Sequence, residues 1–431
     1  YLLQLVQDGS IPEARIDESV ARILAIKEEL GLLDTWHNGK RVETPEQRAA
    51  RAAVTASVGS VADREEALAV ARQAVVLLQN NNATLPLTSR QRRHGATLNV
   101  LLTGPSADSI SYQTGGWSIH WQGAADNEFV YGTTLLDALT SMTLPDGTPL
   151  AVKYEPAVDV LGNINTTSLN AFGSLGKMWA DVVIYVGGEA AYAERPGNID
   201  DLTLPAGQQQ VITLAGSFGV PSVLVLFEGR PRLLNGVQSA VSAVVHGLLT
   251  GPDAGQAVAE ILVGTTAPSG RLPFSYPATS GNALVHYWYA YPEADYYTPA
   301  WAFGTGLSYT SWSYSNLTLN VSSISVAQLQ QSPVGVTISV TNTGSVPSQL
   351  SVLMYVSDLY RSVTPEVKML KGFERVWIWP GGSMDVGFTL DVQALSFWNE
   401  QEPPVHVIET GEFVVSFQDS LLTASFNVTA S

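Results

Sequence analysis

The hydrophobic pattern is most distinctive between residues 181 and 205. An apolar run at 182–186 ends at a pair of glycines. A run of this kind is typical of a central parallel strand that is covered on both faces. Glu189 follows at once and opens a polar loop. Because ligands of open α/β sheets bind outside the carboxyl ends of the strands, Glu189 lies where chemistry is expected. Taken alone, Glu189 is better explained as a solvated loop carboxylate, and the rest of the chain changes this interpretation.

Apolar runs and amphipathic stretches alternate between residues 61 and 308. Strand patterns occur at 97–103, 150–154, 181–187, 222–228, 241–246 and 271–276. Helical spacing occurs at 65–78, 134–142, 206–218 and 253–263. This alternation predicts an α/β sandwich domain with a largely parallel sheet.

In the last segment, 309–431, the hydrophobic pattern changes to a period of two residues. Alternation begins around 336–340, and further runs follow at 350–356, 370–379, 384–390, 411–417 and 423–428. About seven short strands separated by Gly, Pro, Asn and Asp turns predict a β-sandwich of the immunoglobulin or fibronectin type III class.

The first segment, 1–34, carries two helical patterns. Residues 1–6 are expected to be the last turns of one helix, and Asp17 is the predicted N-cap of the next. Both helices have apolar faces, so we expect their partner surface in a segment outside these residues or in another chain. The stretch 35–60 is polar and alanine-rich, and predicts a linker with some helical content.

Composition narrows the classes of partner. The chain is 45% hydrophobic and 14% charged, which allows large cores and argues against a disordered chain. A net charge of -17 argues against nucleic acid and anionic membrane surfaces as partners. No apolar run approaches the roughly 20 residues that a membrane span requires. No cysteine is present, so no disulfide is expected.

Asn-X-Ser/Thr sequons provide the evidence on compartment. Five acceptors are present: Asn82, Asn165, Asn316, Asn320 and Asn427. Together they favour a secreted glycoprotein, extracellular or in a cell wall, vacuole or lysosome.

Two candidate ligand-binding residues also follow the first strand of the predicted sandwich. Trp117 and Trp121 follow a glycine pair there, and their indoles are suited to stacking on the apolar face of a sugar ring. Burial in the core is the alternative for both. The six histidines show no metal-ligand spacing, and no phosphate-binding glycine loop is present, so we predict neither a metal nor another cofactor.

Several segments together resemble glycoside hydrolase family 3, the β-glucosidase and exo-β-glucanase family. The similar segments are RIDESVARILAIKEELGLLD, ALAVARQAVVLLQNNNATLPL, SYQTGGWSIHWQG, VGGEAAYAERPGNIDDLTLP, GTTAPSGRLPFSYP, WAFGTGLSYTSWSYSNL and LKGFERVWIWPGG. They run through nearly the whole chain. The resemblance implies the end of an N-terminal barrel at 1–34, the α/β sandwich at 61–308 and a fibronectin-like domain at 309–431.

The resemblance also implies a retaining double displacement on a terminal β-glucosyl residue of a β-glucoside or β-glucan. Glu189 would be the proton donor, with Glu194 as the rival candidate, and it would need a raised pKa for that role. Trp117 and Trp121 would line an outer sugar subsite.

Two loop residues, Tyr192 and Arg195, are further candidates for substrate binding. Tyr192 could exclude water from the site. Arg195 could instead pair with Glu194 or Asp200, and that pairing is the favoured interpretation.

One departure from the family pattern is large, because the barrel that carries the nucleophilic aspartate has no counterpart here. We expect it in a further segment or chain of the same enzyme. The alternative from a different class is a non-catalytic saccharide-binding or structural glycoprotein that keeps the family fold.

Overall fold

The computed structural model describes residues 1–33, 44–93, 95–289 and 298–430, and the backbone of 36–37 and 40–41. The chain forms two compact units, Tyr1–Arg64 and Glu65–Ser431. None of the helices within these described ranges is both long and apolar enough to cross a membrane.

The first unit is built mainly of helices. Its elements are α1 (Leu2–Gln7), α2 (Glu13–Glu29), β1 (Trp36–His37), β2 (Lys40–Arg41) and α3 (Pro45–Ser57). Helix α2 begins after Pro12, earlier than the predicted cap Asp17, because the extended Pro12 leads directly into a first turn that starts with Glu13. Helix α3 has a capping box between Thr44 and Gln47, so the predicted linker contains a complete helix.

The second unit begins with an α/β sandwich. Its helices are α4 (Val61–Ala74, which starts before the boundary), α5 (Ile110–Thr114), α6 (Leu135–Ser141), α7 (Thr166–Met178), α8 (Ala206–Gly216) and α9 (Ala254–Val263). Its strands are β3 (Val76–Asn80), β4 (Leu98–Thr103), β5 (Leu150–Glu155), β6 (Val182–Gly188), β7 (Ser222–Phe227) and β8 (Ala243–His246). The sheet order is β3-β8-β7-β6-β4-β5, and only the β3–β8 pair is antiparallel. The predicted α/β class is confirmed.

Strand β6 occupies the centre of the sheet, with all seven residues buried. Ile184 and Val186 face a core that includes helix α9, whereas Val183 and Tyr185 face a second core that includes α7 and α8. Burial on both faces explains why this strand is a continuous apolar run rather than an alternating one.

Three sequence predictions within the sandwich were wrong or incomplete. The helical pattern at 65–78 predicts a helix through Leu78, but Val76 begins β3, because this apolar run pairs with β8 along the sheet edge. The predicted strand 271–276 forms only an isolated bridge, Tyr276 with Trp301. Pro273 lies in this stretch and has no N–H for a ladder. The sequence does not predict helix α7, because two glycines within it weaken the helical pattern.

A β-sandwich completes the second unit. Its elements are β9 (Trp312–Leu319), β10 (Ser323–Ser325), α10 (Val326–Leu329), β11 (Val334–Asn342), β12 (Ser348–Asp358), β13 (Met369–Ile378), β14 (Ser383–Leu390), α11 (Val392–Leu395), β15 (Phe397–Trp398), β16 (His406–Val407), β17 (Gly411–Phe417) and β18 (Thr423–Thr429). The two main sheets have the orders β10-β18-β17-β12-β13 and β14-β11-β9. One apolar core combines residues from both sheets, such as Val352 and Val336. The predicted fibronectin-like sandwich is confirmed.

Two glycines of helix α7 provide a matched test of packing. A Cβ at Gly176 would lie 2.3 Å from Cε2 of Phe218, whereas a Cβ at Gly173 would have no neighbour within 4 Å. We expect Gly176→Ala to destabilise the protein by about 1–3 kcal/mol through overpacking. Gly173→Ala should stabilise it by about 0.5–1 kcal/mol, because alanine is the better helix former. Urea unfolding midpoints of the two variants measure both effects, and equal shifts would contradict the packing of α7 against Phe218.

Candidate active site

The loop at 189–203 leaves the carboxyl end of β6, and Glu189 is its first residue. The Glu189 side chain is 6% exposed, and its Oε1 accepts hydrogen bonds from Arg230 Nε at 2.9 Å and Arg232 Nη1 at 2.8 Å. Its other oxygen is buried without a partner among the described residues. Both arginines follow β7, the neighbouring strand. Glu189 therefore lies at the predicted strand end, but inside an ion pair that the sequence did not suggest.

Arg232 closes this loop at its base. While Nη1 binds Glu189, Nε donates to the carbonyl of Leu202 at 3.0 Å and Nη2 donates to that of Thr203 at 2.6 Å. One guanidinium thus holds the first and last residues of 189–203 together. Such a loop with adjacent ends is the Ω type, which presents its tip on a fixed base.

Gln122 joins this loop to the segment that carries the two tryptophans. Its Nε2 donates to the carbonyl of Ala193 at 2.8 Å, and the N–H of Ala193 donates to its Oε1 at 3.1 Å. Gly116 allows the close approach, because a Cβ there would lie 2.0 Å from the carbonyl oxygen of Tyr192. The structure therefore brings together two segments that are separated in sequence, the tryptophan segment (115–123) and the glutamate loop (189–203).

The tryptophans lie on the surface of the described unit. Trp117 is 68% exposed and Trp121 is 48% exposed, so the alternative that both belong to the core is wrong. Their ring centroids are 6.4 Å apart at an interplanar angle of 57°. The N–H of Trp117 donates to the carbonyl of Trp121 at 3.0 Å, which closes a tight turn between them. Two tilted indoles on one turn form a surface on which a flat apolar ligand face can pack.

Each of the two segments has a residue other than glycine in the left-handed backbone region. Trp117 has φ of 55° and Glu194 has φ of 51°. This conformation is unfavourable for large side chains, and persists where surrounding contacts impose it. The two hydrogen bonds of Gln122 to Ala193 supply such contacts beside Glu194. The Glu194 side chain is exposed at the tip of the glutamate loop.

The two other predicted substrate-binding residues differ in accessibility. Tyr192 is half-buried, with the guanidinium carbon of Arg230 4.1 Å from its ring centroid. Burial, and after it the charge of Glu189, raises the pKa of the Tyr192 phenol above its ordinary value. Arg195 is exposed, and within the described residues it pairs with neither Glu194 nor Asp200. The favoured pairing of Arg195 is therefore absent.

A buried network that the sequence did not reveal supports the backbone of Arg232. Glu228 Oε1 lies 3.2 Å from His246 Nε2 and 2.8 Å from the Tyr276 hydroxyl. That hydroxyl also lies 2.8 Å from the carbonyl oxygen of Arg232. The N–H of Leu248 donates to His246 Nδ1 at 3.1 Å, so the ring proton is on Nε2 and points to Glu228. Burial raises the pKa of Tyr276 well above its ordinary value, and the Glu228 charge acts in the same direction.

One sequence signal could have revealed part of this network. Glu228 follows the apolar run of β7 just as Glu189 follows that of β6, so two neighbouring strands end in a carboxylate. The contributions of His246 and Tyr276 come from distant segments and leave no local pattern.

The remaining predictions concern the glycosylation sequons and metal binding. The five sequon asparagines, Asn82, Asn165, Asn316, Asn320 and Asn427, are all exposed. Within the described ranges no group of three or more acidic or histidine side chains is arranged to hold a metal ion.

Comparison with known families agrees with this architecture. Residues 75–309, more than half of the chain, match the family model of the glycosyl hydrolase family 3 C-terminal domain. The chain belongs to glycosyl hydrolase family 3. Residues 351–421 match the fibronectin type III-like domain. The predicted family resemblance is confirmed.

Individual family 3 relatives cover almost all of this chain. A lysosomal beta glucosidase of Dictyostelium discoideum is 40% identical over 96% of this chain and 49% of its own length. A periplasmic beta-glucosidase of Salmonella typhimurium is 31% identical over 93% of this chain and 54% of its own. The chain thus spans about half the length of these curated relatives. A crystal structure of a beta-glucosidase from Listeria innocua matches the fold with a TM-score of 0.81 at 24% identity, over 99% of this chain and 56% of that one.

The role of Gln122 can be tested on the chain itself by hydrogen exchange. In Gln122→Met the amide of Ala193 loses its acceptor and its carbonyl loses a donor. Since a neutral hydrogen bond contributes about 0.5–1.5 kcal/mol, we expect exchange at residues 191–195 to become roughly tenfold faster. Mass spectrometry of the peptides measures the change, and peptides of β13 provide the unaffected reference. Unchanged exchange at 191–195 would show that Gln122 does not hold the loop.

Proposed function

We propose that this chain is the acid/base-bearing part of a retaining β-glucosidase or exo-β-glucanase that hydrolyses terminal β-D-glucosyl residues. Its family, and relatives named as β-glucosidases, support the substrate class. In a retaining enzyme one carboxylate attacks the anomeric carbon, while a second protonates the leaving oxygen and then activates water. We assign the second role to the glutamate loop. The nucleophile would come from a barrel segment or chain outside these 431 residues, in keeping with the greater length of the relatives.

The choice of proton donor depends on the two glutamates of the loop. Glu189 is the candidate favoured by sequence, but its side chain is buried and its Oε1 accepts hydrogen bonds from two guanidinium groups, so it is not presented to a substrate. A general acid must come within about 2.6–3.2 Å of the leaving oxygen, which requires an accessible carboxyl group. Glu194 is exposed, and its strained backbone is fixed beside Ala193. We therefore propose that Glu194 donates the proton. Glu189 instead binds the arginines that hold the two ends of the loop together.

The exposed strained conformation of Glu194 is the observation that carries this assignment. Strain that surrounding contacts maintain at an exposed polar residue is characteristic of functional positions. The neighbouring tryptophan segment would hold the sugar beyond the cleaved bond between Trp117 and Trp121. Arg195, without an ion pair among the described residues, would bind a substrate hydroxyl from the same loop.

The proposed compartment is outside the cytosol. The curated relatives include proteins named lysosomal and periplasmic. Five exposed sequons add support for a secreted glycoprotein.

Leaving-group dependence tests the assignment of Glu194 in the enzyme that contains both this chain and the barrel. Glu194→Gln should slow hydrolysis of natural β-glucosides by roughly 10²–10⁴. The first step on a dinitrophenyl glucoside should change little, because that leaving group departs without protonation. With the dinitrophenyl glucoside as substrate, azide should restore the turnover of Glu194→Gln and yield a β-glucosyl azide. Azide attacks the glycosyl intermediate without needing a general base.

Glu189→Gln is the matched control in the same loop. It weakens the contacts with both arginines, so it should lower the unfolding midpoint and reduce turnover of both substrates to the same extent, with no azide rescue. Azide rescue of Glu189→Gln together with none for Glu194→Gln would reverse our assignment.

Trp121→Ala tests the outer sugar subsite. In the complete enzyme it should weaken oligosaccharide turnover about fivefold or more relative to an activated aryl glucoside, because about 1 kcal/mol of aromatic stacking is lost. The ratio of kcat/KM for the two substrates measures this effect. Equal losses on both would show that Trp121 makes no contact with the outer sugar.

A further inference from the structure

An unassigned cavity of about 590 Å³ opens at the carboxyl edge of the sheet, next to the ends of β4 and β5. Pro105 follows β4, and Tyr154 of β5 donates its hydroxyl hydrogen to the carbonyl of Gly104 at 3.1 Å. The opposite wall is the hairpin 157–165, in which Val158 pairs with Ile164. The volume lies within the range of small-molecule sites, about 300–1,000 Å³.

This cavity is tied to both segments of the candidate active site. Gln208 Nε2 donates to the carbonyl of Val160 in the hairpin at 2.8 Å and to that of Gly188 at 3.1 Å. Gly188 immediately precedes Glu189. On the other side Tyr112, which lines the cavity from α5, is three residues before the start of the tryptophan segment at Gly115. The cavity and the candidate active site therefore share one edge of the sheet.

The lining combines two aromatic rings with polar groups and a small apolar wall. Tyr112 and Tyr154 supply the rings, and Val158 and Val160 supply apolar surface. The Tyr112 hydroxyl has no hydrogen-bond partner among the described residues. Aromatic faces with a few polar groups are suited to a sugar ring, whose CH faces are apolar and whose hydroxyls lie at the rim.

Charge around the cavity is acidic. Asp159 lines it, and Asp108 and Asp126 lie close enough to raise the pKa values of Tyr154 and Tyr112, respectively, in addition to the larger effect of burial. None of its lining residues is basic. Phosphorylated and other anionic ligands are disfavoured here, whereas a neutral polyhydroxylated ligand is compatible with the lining carboxylate of Asp159.

We propose that this cavity, called here the tyrosine cavity, binds a neutral glucosyl unit of a β-glucan chain, apart from the Trp117 and Trp121 subsite. The identity of the sugar rests on the proposed function. The cavity would retain a longer chain at the same edge of the sheet at which its terminal residue is cleaved. In this proposal Tyr112 and Tyr154 bind the substrate.

Calorimetric titration of the 431-residue chain with laminaritetraose and cellotetraose tests the proposal. Because Asn165 lines the cavity, the proposal requires that this sequon carries no glycan, and the protein is therefore made in a host that adds no N-glycans. Tyr112→Ala should weaken binding about five- to tenfold, the loss of one stacking contact. Tyr112→Phe keeps the ring and should lose less. Val160→Trp fills the cavity without removing a contact, and should also weaken binding if Tyr112→Ala fails to fold.

Tyr360→Ala is the matched control, since this tyrosine is 76% exposed in the β-sandwich and should leave the affinity unchanged. Unchanged affinity in both Tyr112→Ala and Val160→Trp, or no binding of either tetraose to the wild-type chain, would overturn the proposal. The azide experiment on Glu194 reports on the proposed function separately. If that experiment fails while Tyr112→Ala still weakens binding, the tyrosine cavity stands without the proposed function.

Discussion

The buried ion pair of Glu189 with Arg230 and Arg232 is the constraint on which the candidate site depends. It joins the ends of β6 and β7, where the N–H of Glu189 also donates to the carbonyl of Phe227. Loss of one partner from a buried pair leaves an uncompensated charge, which typically costs about 3–5 kcal/mol. Changing one side of this contact alone should therefore destabilise the carboxyl edge of the sheet.

Further contacts connect this ion pair to the core on one side and to the glutamate loop on the other. Glu228 and Tyr276 hold the backbone of Arg232 from inside the core. Arg232 closes the glutamate loop at its base, and Gln122 fixes the loop near its tip. The strained tip is thus held from two directions. This is the arrangement that a precisely placed functional group requires, because its position is set by rigid elements and by a second layer of contacts.

Local patterns predicted those parts of the structure that depend on neighbouring residues. The continuous run of β6 and the alternation in β11 follow from burial on two faces or on one, so the sequence was sufficient for both. It failed for β3, because an apolar run after an amphipathic helix continues the helical pattern until the partner strand β8 is known. The ion pair of Glu189 was missed for a similar reason. Arg230 and Arg232 lie more than 40 residues further along the chain, and only the pairing of β6 with β7 brings them close.

The same pairing explains why a choice between Glu189 and Glu194 could not be made well from sequence. A strand end fixes a residue's backbone but does not determine whether its side chain points to solvent or to a cation on the next strand. Here the guanidinium groups that follow β7 are bound to Glu189, and Arg232 is only 11% exposed at its side chain. Of the glutamate loop's own residues, Arg195 remains the exposed cation. Because Glu189 already occupies N–H donors of both guanidinium groups, this face is compatible with a neutral sugar whose hydroxyls need single donors and acceptors.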